Sequence, residues 1–251
     1  LRHRPAHPTP RSEELYYRMM LDYWGRVLRA REEGKLLAAV STLMPVEILH
    51  LFDRMVPFAL ESFAECSMVL MGDFAEFYAE AASSGLKVEV CSPHRSLVGM
   101  YRLGVVPRPD LVLWTSMVCD NTAKVGYAPA DHFGVPTYLF DLPYRSSEPE
   151  VAYFVSQLTQ GIRFLEEQTG QRLDSAKLRR VVERSEEGVR LQREINELRR
   201  AVPAPTRSRS FLYRMYGEML WAGTPEAVAF YQQVRDELKE AVAAGRGVIP
   251  N

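Results

Sequence analysis

The chain of 251 residues has little cysteine, no excess of positive charge and no long apolar run, and each shortage excludes something. Three cysteines in such a length are too few and odd in number for a secreted disulfide scaffold, so reduced thiols in a cytoplasmic setting are expected. No Cys-x-x-Cys pair occurs, which removes a thioredoxin-type redox motif and a structural zinc knuckle. Lys and Arg (31) balance Asp and Glu (32), giving a net charge of −1, so neither a nucleic-acid nor a membrane-surface role is expected. No stretch approaches the roughly 18 apolar residues of a membrane span, and no signal peptide opens the sequence. The first residue is Leu1 rather than Met, which points to a trimmed or processed chain. Repeats and low-complexity tracts are missing as well.

What remains has the balance of a soluble globular protein, 47% apolar and 25% charged. Residues 1–11 carry prolines and basic groups and read as a loose arm. Ser12, followed by Glu13 and Glu14, is an expected N-cap. Leu15, Met19, Tyr23 and Val27 then form one stripe of an amphipathic helix ending near Gly34. From 36 to 147 strands and helices alternate. Strands are predicted at 36–40, 55–60, 87–90, 111–116 and 135–141, the second at a sheet edge because of Pro57. Helices are predicted at 45–53, after Asp73, from Ser96 and from Thr122, with Gly85 and Gly134 as stops. This order predicts an α/β fold: a Rossmann-like, mainly parallel sheet flanked by helices. After about 148 every segment has helical period, with Asp174 and Thr224 as caps. The expected division is therefore an N-terminal arm and helix (1–35), an α/β domain (36–147) and a helical region (148–251).

Ligands of parallel sheets sit beyond the carboxyl ends of the strands. Ser41, Cys91, Cys119 and Asp141 each follow a predicted strand directly. A lone cysteine is ordinarily a small buried apolar residue. These two occupy strand-to-helix turns, where amide N–H groups and a helix N-terminus favour thiolate over thiol. Such a thiolate is either a nucleophile, with His94 or His132 as base, or a metal ligand. Iron–sulfur ligation from separated turns is one possibility, since those ligands need only converge in space.

The segment "CSPHRSLVGMY…PRPDLVLWTSMVCDNTAKVGYAPADHFGVPTYLFDLPY" resembles the central signature of the 2-hydroxyacyl-CoA dehydratase D-component family, which includes the benzoyl-CoA reductase subunits. "STLMPVEILHLFDRMVPF" resembles its N-terminal Pro-x-Glu stretch, and the helical part to about 245 is also similar to that family. The resemblance implies one-electron reduction of an acyl-CoA thioester to a ketyl radical, followed by dehydration or ring reduction. It also implies a [4Fe–4S] cluster, a related partner subunit and an ATP-dependent activator protein. Cys91 and Cys119 match two of the three cluster cysteines. The third belongs to a second α/β domain that this chain stops short of, and Cys66, outside the motifs, is read as core. Where some relatives carry a cysteine this chain has Ser41, a candidate for binding the thioester oxygen together with the turn N–H groups. Glu47 is a candidate acid/base, or else a first-turn carboxylate stabilised by the helix dipole. His94 is a candidate donor to a cluster sulfur. Asp120 and Asn121 are expected to cap the helix that follows, and Lys124 and Arg95 to meet CoA phosphates or solvent. The competing reading is a shortened, non-catalytic binding or assembly module of the same fold.

Overall fold

A computed structural model describes residues 10–248 except Val118. The described residues group into two compact units, 26–174 and 10–25 with 175–248. Most of the expected N-terminal arm, residues 1–9, lies outside the described residues.

The first unit is built on four parallel strands, β1 (Leu36–Val40), β2 (Met55–Ala59), β3 (Leu111–Thr115) and β4 (Thr137–Phe140), in the order β2-β1-β3-β4. All five residues of β3 are buried, as are four of the five in β1. Parallel strands covered on both faces read as such continuous apolar runs. β2 pairs with β1 alone, so Pro57, opposite Ala38, sits where a missing N–H does least harm. A 3-10 helix (Val46–Leu51), rather than a full α-helix, follows Pro45 and joins β1 to β2.

Three helices, α2 (Leu60–Met71), α3 (Ala75–Ser83) and α4 (Ser92–Arg102), carry the chain from β2 to β3. Asp73 turns its carboxylate onto the Ala75 N–H (3.0 Å) at the start of α3. α4 packs closely on α3. A Cβ placed on Gly99 would stand 2.0 Å from the Phe77 carbonyl oxygen. α5 (Asp120–Val125) and α6 (Tyr127–Phe133) link β3 to β4, and Gly134 ends α6 in the left-handed region (φ 61°). α7 (Glu148–Thr169) completes the unit.

One expectation fails in this unit. Residues 87–90 are not a strand. Their alternation has β character, but a strand needs a neighbouring edge and a face to bury, and Val88 is exposed. The segment instead closes a turn, the Val90 N–H bonding to the Lys87 carbonyl (3.2 Å), and Cys91 therefore follows no strand. The sequence reading also passed over α2.

The second unit is helical. α1 (Arg11–Arg29) starts in it, and α8 (Ser175–Leu198), α9 (Ser210–Trp221) and α10 (Pro225–Ala243) complete it. Ser12 is not the cap of α1. The Pro10 carbonyl accepts from the Glu13 and Glu14 N–H groups, and the Ser12 side chain donates to Glu237. Tyr16, Trp221 and Phe230 form an aromatic core (ring centroids 6.2 to 6.4 Å apart). Thr224 does cap α10, its hydroxyl accepting from the Ala227 N–H (3.2 Å). No helix among the described residues is long and apolar enough to cross a membrane.

Candidate functional site

Because the sheet is parallel, the strands all end on one side. Ser41 follows β1, Leu60 and Glu61 follow β2, Ser116 follows β3 and Asp141 follows β4. Ser41 joins the ends of β1 and β3. Its N–H donates to the Leu113 carbonyl (3.0 Å), and its Oγ accepts from the Thr115 N–H (3.2 Å). Ser116 donates to Asp141, which also accepts from the Tyr153 hydroxyl (2.8 Å) and so raises the Tyr153 pKa.

The main feature beside this edge is a chain of hydrogen bonds. The Thr42 N–H donates to Glu61 Oε2 (2.9 Å), Glu61 Oε1 faces His94 Nε2 (3.3 Å), and His94 Nδ1 faces Cys91 Sγ (3.0 Å). Glu61 is 6% exposed and His94 5%, whereas Cys91 is exposed. A buried carboxylate that accepts from Nε2–H fixes which ring nitrogen faces the thiol, and so orients the imidazole. Ser41, Glu61, His94 and Thr122 together line a cavity of about 10 Å³, space for about one water. Ser41 and His94, both expected site residues, are thus brought together, and the residue joining them is one the sequence reading missed. Glu61 satisfied the rule applied to Ser41, since it directly follows a predicted strand.

The two thiols stand at the starts of neighbouring helices. Cys91 is the residue before α4, and its carbonyl accepts from the Arg95 N–H (3.1 Å). Cys119 precedes α5 and is half-buried, its carbonyl accepting from the Thr122 N–H (3.0 Å). Their sequence neighbours Val90 and Asn121 line one groove of about 600 Å³, together with Lys87, Glu89, Val98 and Tyr101. Burial pushes the Tyr101 phenol up to about 12.

The other expectations fare as follows. Glu47 lies on the 3-10 helix and lines neither the cavity nor the groove. Asp120 and Asn121 do not cap α5 through their side chains: Cys119 occupies the cap position, and Asn121 turns to the groove. Arg95 lies over the Tyr78 ring (4.9 Å) rather than open to an anion. The Lys124 side chain is outside those described. His132 packs at a tilt against the Tyr101 ring (ring centroids 4.8 Å). Cys66, on α2, is half-buried, and desolvation pushes its thiol up to about 11.

For a [4Fe–4S] cluster the donor chemistry fits in part. All three cysteines are free, and Val90 and Asn121, one residue before Cys91 and two after Cys119, line one groove. Among the described residues no three His, Cys, Asp or Glu side chains gather closely enough to hold a single metal ion. A four-iron cluster takes thiolate ligands from separate turns, and Cys91 and Cys119 have the donor chemistry for two of them.

Residues 41–251 match the family described as 2-hydroxyglutaryl-CoA dehydratase, D-component. The chain belongs to this family. Among curated relatives it is 24% identical over 228 residues to the (R)-phenyllactyl-CoA dehydratase alpha subunit of Clostridium sporogenes, covering 87% of this chain and 56% of that one. It is 26% identical over 154 residues to the (R)-2-hydroxyglutaryl-CoA dehydratase alpha subunit of Acidaminococcus fermentans, covering 60% and 32%. To the (R)-2-hydroxyisocaproyl-CoA dehydratase alpha subunit of Clostridioides difficile it is 21% identical over 238 residues, covering 91% and 58%. The chain spans about half the length of the curated relatives it matches.

Proposed function

We propose that this chain is the cluster-bearing part of a 2-hydroxyacyl-CoA dehydratase subunit, working in the cytoplasm with a related subunit and an ATP-dependent activator protein. The observation that carries the reading is the Cys91–His94–Glu61–Thr42 chain of hydrogen bonds beside the cavity that Ser41 lines, in a member of the D-component family. The relatives named above are dehydratase subunits, and the proposal takes dehydration rather than ring reduction accordingly.

Cys91 and Cys119 are the residues that would hold a [4Fe–4S] cluster. When bound, such a cluster supplies single electrons at low potential to a thioester carbonyl. The chain's own residues supply the rest. Glu61 accepts from His94 Nε2–H and so orients the ring, which leaves Nδ1 to accept the Cys91 S–H proton that would be given up when the sulfur binds iron. The Ser41 hydroxyl accepts from Thr115, which leaves its own proton to donate toward a thioester oxygen. Glu47 is proposed as an acid/base group for moving the substrate's protons. The groove shelters the acyl group from water.

Iron and acid-labile sulfide, measured on the full chain after anaerobic reconstitution, test this. The proposal expects a brown protein that loses its iron in Cys119→Ala and keeps it in Cys66→Ala. A colourless wild-type protein with three free thiols would favour the non-catalytic module.

A further inference from the structure

One groove is lined by Val90, next to Cys91 in sequence, and by Asn121, two residues after Cys119. The geometry points to an acyl pocket for an uncharged, apolar 2-hydroxyacyl chain, aromatic or branched, with Tyr101 reading its 2-hydroxyl. This deepens the acyl-CoA reading above and rests on it.

Three observations support it. At about 600 Å³ the groove is of ligand size, within the usual range of small-molecule sites. Much of its wall is apolar: Leu86, Val90, Val98, Val125 and Ala128 line it, and Val98 is 4% exposed. The charges it offers are Lys87 and Glu89, both exposed and opposite in sign, so no buried cation waits for a carboxylate. A chain ending in a carboxylate would bring an unpaired charge against Val98 and Val125, which is costly. A phenyl or branched alkyl group would bury apolar surface there instead.

Tyr101 supplies the polar contact. It lines the groove, is 4% exposed overall, and its hydroxyl makes no hydrogen bond to the described residues. Its ring is clamped by His132 (4.8 Å) and Phe133 (6.0 Å), so the phenol has little freedom to swing away. An uncommitted donor at the wall of an otherwise apolar pocket is how a site recognises one hydroxyl on an apolar ligand. Asn121, on the same wall, is a second polar group within the groove.

The test is calorimetric titration of the full chain with four probes: CoA, phenylpropionyl-CoA, its 2-hydroxy counterpart, and glutaryl-CoA. The pocket predicts that phenylpropionyl-CoA binds at least about tenfold tighter than glutaryl-CoA. Ala128→Phe, which fills the groove from α6, should erase that preference. Tyr101→Phe should weaken the 2-hydroxy thioester roughly two- to tenfold and leave phenylpropionyl-CoA unchanged. Circular dichroism checks that each variant is folded. Glutaryl-CoA binding as tightly as phenylpropionyl-CoA, or a preference that survives in folded Ala128→Phe, overturns the pocket. CoA binding as tightly as every thioester overturns the pocket but leaves the acyl-CoA reading standing. If no probe binds the folded wild-type chain, both fall.

Discussion

Replacing Glu61 by alanine removes both anchors of the hydrogen-bonded chain at once. The Thr42 N–H and His94 Nε2 each lose an acceptor, at 2.9 and 3.3 Å, in a place where Glu61 is 6% and His94 5% exposed. A hydrogen bond to a charged group contributes about 1.5–3 kcal/mol, so two give an upper figure of roughly 6 kcal/mol. Water entering the enlarged cavity rescues part of this, and a net loss of about 2–4 kcal/mol is expected. For a unit of this size that is a fall in Tm of roughly 5–15 °C by differential scanning calorimetry. Glu61→Gln keeps an acceptor for Thr42 and should lose about 1 kcal/mol. Its amide can donate to Nε2, which would turn the His94 ring to its other tautomer, visible in ring ¹⁵N chemical shifts. A folded Glu61→Ala that loses less than about 1 kcal/mol, with the His94 tautomer unchanged, would refute the claim that this carboxylate organises the site.

Three further outcomes follow from the packing and the titration behaviour. Gly99→Ala must push α4 off the Phe77 carbonyl, 2.0 Å from the new methyl, and should lose about 1–3 kcal/mol in urea unfolding. Thr224→Ala removes the cap of α10 and should lose about 1 kcal/mol, with less helical circular dichroism at intermediate urea. The Cys66 thiol lies at about 11 in the fold against an ordinary 9.0, so the folded state favours the uncharged thiol. Its contribution is therefore complete below about pH 9 and is lost as pH rises toward about 11, by at most roughly 3 kcal/mol, and Cys66→Ala should lessen the alkaline decline in urea midpoint.

Much of the fold was legible because parallel strands buried on both faces write themselves as apolar runs. Leu36–Val40 and Leu111–Thr115 needed no tertiary knowledge, and Pro57 correctly placed its strand at an edge. Residues 87–90 misled because alternation reports β character and says nothing about whether a partner edge is available. The cap of α1 was misplaced because Pro10 serves through its carbonyl, which any residue has, while the Ser12 hydroxyl serves a glutamate 225 residues away. At the candidate site, Ser41 was singled out by its position after a strand and His94 by its proximity to a cysteine. Glu61 escaped because its importance comes from two partners, Thr42 and His94, 19 and 33 residues away in sequence. The groove was invisible for the same reason: its walls come from the turn at 84–90, from α4 and from α5 and α6.

The central claim is that Cys91 and Cys119 serve one site together while Cys66 serves the core. Mass-spectrometric footprinting of the three thiols tests it most directly, by alkylating the full chain before and after anaerobic reconstitution with iron and sulfide. The account predicts that Cys91 and Cys119 become protected in parallel, with the same iron dependence, while Cys66 reacts slowly in both states. Protection of one of the pair without the other, or protection that tracks Cys66, would contradict it.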